Sequence, residues 1–290
     1  MEGFLDPRSD LVFRRIFGEH PHILCDFLNA LLPLESPIVS LEYLPIDQIP
    51  MLPVLKRGIV DVRCKDAEGR QFIVEMQVQW TSAFLQRVLF NASQAYVKQL
   101  EKGETFELLQ PVIALSLLDD TFVRDNEEYY HHYRIVNVAE PKQRIEGLEF
   151  VFVELPKFRD SQPTEARRVR WAWLRFLREA GDAGKEGHPS VESFESETGI
   201  NESLTEAMRL ARESNFSLAQ RNAYDRFWDA VRTERTLIKG KLAEGREQGR
   251  AEGRAEGRAE GERIGLERAL KSMVEAGMSE AEAKRILRMS

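Results

Sequence analysis

Residues 58–80 read GIVDVRCKDAEGRQFIVEMQVQW. Two runs rich in β-branched residues flank Ala67-Glu68-Gly69, and a three-residue hairpin loop needs glycine at its left-handed position. Gly69 meets that need and fixes the register. Asp66 then faces Arg70, and five residues further back along each strand Asp61 faces Glu75, with Ile59 opposite Gln77. Side chains alternate between faces of a pleated strand, so Val60, Val62, Cys64, Phe72, Val74, Met76, Val78 and Trp80 share one wholly apolar face. The opposite face carries the polar groups.

Two carboxylates directly opposite on a sheet repel each other by roughly 0.2 to 1 kcal/mol unless something compensates. Arg63, Lys65 or Arg70 could balance two solvated acids. A divalent cation is the other solution. Oxygen ligands from Asp61, Glu75 and the backbone carbonyl of Met76 suit Mg²⁺, which keeps several waters and binds through one or two carboxylates plus substrate phosphate.

Outward from the hairpin, period and punctuation give the neighbouring elements. Leu11, Val12, Ile16 and Phe17 suggest a short helix opened by Ser9 or Asp10, and Pro21 begins a second. Residues 54–65 and 71–80 read as strands, 83–101 as a helix and 111–118 (PVIALSLL) as a buried strand, the pattern of a parallel β-α-β unit. Strands near 131–138 and 148–155 would extend the sheet. A helix from Pro163 packs Trp171, Leu174 and Phe176 or Leu177 on something apolar. The segment 181–203, rich in Gly, Ser and acid, reads as a mobile linker.

Asp61, the short hairpin and Glu75-Met76-Gln77 resemble the PD-(D/E)XK nuclease motif, with the helix and strand that follow as in that fold's αβββαβ core. More narrowly, SDLVFRRIFG (9–18), the Asp61…Gly69…Glu75-Met76-Gln77 block, Arg87, Tyr96 and QLEKGETFELLQPVIALSLLD (99–119) resemble the recombination-promoting nuclease family of PD-(D/E)XK transposases. The likeness runs over roughly residues 4–160. It implies Mg²⁺- or Mn²⁺-dependent hydrolysis of DNA phosphodiesters, tied to recombination or mobile elements. Asp61 and Glu75 would hold metal with the Met76 carbonyl, and Gln77 stands where the wider superfamily has its catalytic lysine. Glutamine offers hydrogen bonds but no charge, so weak turnover, or a nuclease scaffold that only binds DNA or assembles, is the alternative.

Asp10 could add a third carboxylate, or simply face the dipole of its helix. Arg87, Asn91, Gln94 and Lys98 form a polar stripe opposite Phe84, Val88, Ala92 and Tyr96; it is either a solvated face or one that offers Arg87 to phosphate. His131 and His132 are consecutive strand residues and a poor metal pair. RRVRWAWLR (167–175) could bind nucleic acid by charge and stacking, or present a Trp core face and an Arg solvent face.

Composition bounds these readings. The chain has 290 residues, twice the usual ~150-residue domain. It is 42% hydrophobic and 31% charged, with no apolar run near membrane-spanning length and no basic-then-apolar leader, so a soluble, cytoplasmic protein without a membrane partner is expected. Cys25 and Cys64 have no zinc or disulfide spacing. The net charge of -7 excludes a generally basic nucleic-acid coat, and the deficit lies in residues 1–160, which hold 17 basic and 25 acidic residues.

Gly245, Gly249, Gly253, Gly257, Gly261 and Gly265 mark a repeat that sets the C-terminus apart. The expected organisation is a nuclease-like domain over 1–160, a helical region over 161–240, and a repeat helix with a terminal helical hairpin over 241–290. Interior glycines and like charges four residues apart make that helix poor alone. It is expected to pair with another copy, giving a homo-oligomer, or to act as a tether.

Overall fold

A computed structural model describes residues 3–48, 58–59, 61–78, 81, 83–101, 103–159 and 164–289. The chain begins with helices α1 (Asp10–Phe17) and α2 (Pro21–Leu31), whose Phe13, Ile16, Phe17, Leu24, Phe27 and Leu28 are buried. Strand β1 (Leu41–Tyr43) follows, then two short strands, β2 (Asp47–Gln48) and β3 (Gly58–Ile59), which pair with each other. The hairpin comprises β4 (Val62–Asp66) and β5 (Gln71–Gln77). Its register runs from Lys65 opposite Gln71 to Val62 opposite Val74, and Asp61 lies one residue before the paired stretch.

The turn forms as its residues require. Gly69 has φ +86°, and its N–H donates to the Asp66 carbonyl at 3.1 Å. The Asp66 carboxylate accepts the Glu68 and Arg70 N–H groups and pairs with the Arg70 guanidinium at 2.7 Å. Ile59 is not opposite Gln77, because Gly58–Ile59 is taken up by β2. Val60 and Trp80, expected on the apolar face, lie outside the described residues.

Helix α3 (Phe84–Val97) and strand β6 (Val112–Leu118) complete the β-α-β unit, with β5 and β6 parallel. The helix stops at Val97 rather than near 101. Beyond it the Gln99 side chain both donates to and accepts from the Gln110 backbone at 2.9 Å, copying a strand pair where no strand runs. Strand β7 (Tyr130–Val136) is antiparallel to β8 (Arg144–Glu154), which lies parallel to β6. The sheet order is β1-β4-β5-β6-β8-β7.

Both faces of the sheet are covered at its centre, over β5 and β6. The face bearing Val62, Cys64, Phe72, Val74 and Met76 joins the main core with α1 and α2. The face expected to be polar and open is capped by α3, where Ile73 packs with Phe84, Val88, Ala92 and Ala95. Tyr96 of α3 lies against Gly147 of β8, where a Cβ would stand 3.2–3.3 Å from the phenol and force it to shift.

Helix α4 (Arg168–Glu179) buries Trp173, not Trp171, with Leu174, Phe176 and Leu177. Trp171 is half-buried beneath the Arg175 guanidinium. The expected linker near 181–203 contains α5 (Val191–Thr198), which buries Val191, Phe194 and Thr198 and is capped by Ser190; Asn201 then caps α6 (Glu202–Ala211). Their core is continuous with that of α1 and α2, and residues 1–231 form one compact unit. Arg232–Ser290 form the other. Helix α7 (Leu218–Glu275) contains the glycine repeat, and α8 (Glu280–Leu287) restarts after Gly277 at φ +95°. No helix among the described residues is long and apolar enough to cross a membrane.

Candidate active site

The carboxyl end of β5 is built from several directions. Asp61 sits just before β4, and its Oδ2 accepts the Met76 N–H at 2.8 Å, so the side chain stands where a partner strand would continue. N–H and C=O of one residue in a strand point to the same neighbour, which puts the Met76 carbonyl on Asp61's side. Glu75, 7% exposed, projects to the α3 face, where buried Asn91 donates to its Oε1 at 3.0 Å. Gln77 follows on the same face, and the exposed Arg87, on the first turns of α3, donates to its side-chain oxygen.

The amino-terminal arm brings α1 to this place. Arg8 pairs with Asp6 at 2.6 Å and with Asp119 at 2.7 Å, and the Asp119 N–H donates to the Gln77 carbonyl at 2.9 Å. Helix α1 then presents Arg14, whose guanidinium lies 3.8 Å from Asp61 Oδ1. Asp10 is the exposed acid of the first turn of α1, and Ser9 turns its hydroxyl to the Asp6 carbonyl instead of capping the helix. Asp10 is near enough to act on Asp61 electrostatically.

Burial dominates the electrostatics. It pushes Asp61 above the usual carboxylate range against the Met76 N–H, with the Asp10 charge adding to the rise and Arg14 and Arg87 opposing it. It pushes Glu75 up to about 7 despite the Asn91 hydrogen bond, helped by the Asp61 charge and opposed by Arg87. Removing a hydrogen bond to the charged form raises a carboxyl pKa further and costs about 1–3 kcal/mol. Asn91→Ala is therefore expected to move the Glu75 titration above 7, read from its carboxyl carbon resonance. An unchanged midpoint would show that Asn91 does not stabilise the anion.

Among the described residues, no three His, Cys, Asp or Glu side chains gather as a ready metal-binding group. The donors that are gathered still suit a small hard cation. Glu75 Oε2 and Asp61 Oδ1 remain after the short hydrogen bonds are made, and two carboxylates with a carbonyl leave positions for water and phosphate. Positive charge nearby would lower both raised carboxyl pKa values at once.

Other candidates resolve differently. Arg170 donates to the Ala30 and Leu31 carbonyls at the end of α2, and Arg175 pairs with Glu179 and Glu197, so these two arginines tie the fold together. His131 and His132 pair separately with Glu154 and Glu149, at 2.9 and 2.7 Å. Cys64 is buried and Cys25 half-buried, both as free thiols. The sequence reading missed Arg14 and the role of Asn91. An asparagine one turn beyond Arg87, among apolar helix positions, is the signal that could have found the second.

Comparison with protein families gives one finding. The family model described as PD-(D/E)XK nuclease family transposase matches residues 7–239. No curated protein and no solved structure matches the chain. The mixed α/β sheet, with α3 between parallel β5 and β6, agrees with a PD-(D/E)XK-like fold.

Proposed function

Because the chain belongs to the PD-(D/E)XK nuclease family transposases, a nuclease-type group tied to mobile elements, we propose that it is a divalent-metal-dependent endonuclease acting on DNA phosphodiester bonds during recombination or element movement. Within the family, we read it as one of the recombination-promoting nucleases. The observation that supports this reading is the pair of carboxylates at the end of β5, half-buried Asp61 and buried Glu75, with the pKa of each raised. A bound Mg²⁺ or Mn²⁺ supplies positive charge at the attacked phosphate and makes water a better nucleophile.

The chain's own groups do the placing. The Met76 N–H fixes the Asp61 carboxylate, Asn91 fixes that of Glu75, and the Met76 carbonyl shares the Asp61 side. Gln77 lies beside the phosphate site and Asp10 stands at its outer rim as an accessory acid. Matched DNA and RNA substrates, each with Mg²⁺, Mn²⁺ or EDTA, test the assignment. Cleavage of DNA that stops in EDTA is expected. Cleavage of RNA alone, or DNA cleavage that persists in EDTA, contradicts it.

In the same proposal, the repeat of α7 joins copies of the chain. At Gly245 through Gly265 nothing lies within 4 Å of where a side chain would begin. Each interior glycine costs about 1 kcal/mol relative to alanine. Close helix approach, with the Glu252, Glu256 and Glu260 row facing the Arg250, Arg254 and Arg258 row of another copy, offsets that cost. Light scattering should find several copies in the full chain and one after removal of residues 241–290. The same mass per particle for both, scaled for length, would contradict a role in assembly.

A further inference from the structure

Gln77 leaves the site without the ammonium that the lysine of its superfamily would supply. The nearest replacement is on another element. Arg87 belongs to the first turns of α3, and its guanidinium lies 5.3 Å over the ring of buried Phe84 while donating to the Gln77 amide oxygen. Stacking on a buried ring and bonding to a strand side chain hold a long, exposed side chain in one direction. That direction is toward Glu75 and Asp61, both of which feel its charge. A cation near a helix N-terminus opposes the helix dipole, a placement unfavourable by roughly 0.3–1 kcal/mol. Local helix stability does not account for Arg87.

Resting on the nuclease reading, we propose that Arg87 is the catalytic cation that contacts the scissile phosphodiester, and that Gln77 is a positioning residue which aims it. The charge and the strand position, combined in one lysine elsewhere in the superfamily, are here divided between an arginine from α3 and a glutamine from β5. Planar guanidinium suits this task, since it can bond a phosphate oxygen and an amide oxygen with different N–H groups. Its charge stabilises the extra negative charge that develops on phosphate oxygens as water attacks, and no proton is transferred by it.

The experiment uses the full chain with Arg87→Ala, Gln77→Lys and the double variant, on a supercoiled plasmid with Mg²⁺. Removal of one such donor costs about 100- to 1,000-fold in turnover. Arg87→Ala is expected to lose cleavage to that extent, and Gln77→Lys in the same chain to restore at least tenfold by returning a cation to the strand position. A merely structural arginine would not be replaced by a lysine on another element. Binding to a short duplex, in EDTA and with Ca²⁺, gives a second readout, because loss of one phosphate contact lowers the slope of log K against log salt by about 0.9.

Loss with restoration supports the division of roles. Arg87→Ala cleaving within twofold of wild type, no restoration by Gln77→Lys, or a salt slope unchanged in both media overturns it. Should wild type cleave nothing while the slope falls in Arg87→Ala, the nuclease reading fails and the phosphate contact stands.

Discussion

Glu75→Gln is expected to abolish DNA cleavage, by about 1,000-fold or more, while making the folded protein more stable. Glutamine keeps the shape of the side chain but offers no charge to a cation, and a metal-assisted site without its central carboxylate loses charge stabilisation at the phosphate. The stability change has the opposite sign. Glu75 titrates near 7 when folded against an ordinary 4.5, because burial disfavours the anion. The folded state therefore holds the proton more tightly than the unfolded chain. This group's contribution is most favourable below pH 4.5, is lost progressively as pH rises from 4.5 to 7, and stays lost above that.

At 1.36 kcal/mol per pKa unit, the ionised carboxylate costs up to about 3 kcal/mol at pH 8 in the absence of a cation. In EDTA at pH 8, Glu75→Gln should raise the urea midpoint, and the gain should vanish at pH 4. Wild type should recover part of the difference when divalent metal is added, since binding to the native state stabilises it. A variant less stable than wild type at pH 8 would mean that the Asn91 hydrogen bond outweighs desolvation.

Trp173→Ala should have the largest effect on folding. The indole is wholly buried, with ring centroids 5.3 Å from Phe27, 5.7 Å from Phe17 and 6.1 Å from Phe176. Its N–H donates to Asp26 at 2.8 Å, a carboxylate otherwise bonded by Asn201 of the α6 cap. Truncation leaves a cavity between α1, α2 and α4 and removes a hydrogen bond that joins α2 to α4. Loss of a buried tryptophan costs about 3–5 kcal/mol, much of the 5–15 kcal/mol that stabilises a typical domain. Trp171→Ala, at a half-buried position beneath Arg175, should cost about 1 kcal/mol. Equal shifts in the urea midpoint for the two variants would contradict the packing of α4.

The two tryptophans also show where sequence was readable. Two helix positions differ by about 200° of rotation, so the apolar face of RRVRWAWLRFL could be drawn through either one until α1 and α2 were in place. The hairpin had no such freedom, because Gly69 fixed its turn and alternation fixed its faces. Its register brought Asp61 and Glu75 together without knowledge of anything else. What alternation could not reveal was the helix laid over the polar face, and with it the burial of Glu75 against Asn91. The segment 181–203 misled for a different reason. Its Gly, Ser and acid content masks Val191, Phe194 and Thr198, spaced as one helix face and buried as such.

The organisation matters for function because residues far apart in the chain meet at the end of β5. The Asp6–Arg8–Asp119 bridge ties the arm before α1 to the strand end that carries Gln77, and Arg14 of α1 approaches Asp61 from outside the sheet. The acidic balance of residues 1–160 is consistent with the proposed site, which would recruit cations before it meets phosphate.

The most direct test of that claim is nicking of supercoiled plasmid across a Mg²⁺ titration, by wild type and by Asp61→Ala. Wild type should convert the plasmid in proportion to metal occupancy and stop when EDTA is added, whereas Asp61→Ala should show no conversion at any concentration. Equal, metal-dependent conversion by both proteins would contradict the assignment of this carboxylate pair as the centre of the chemistry.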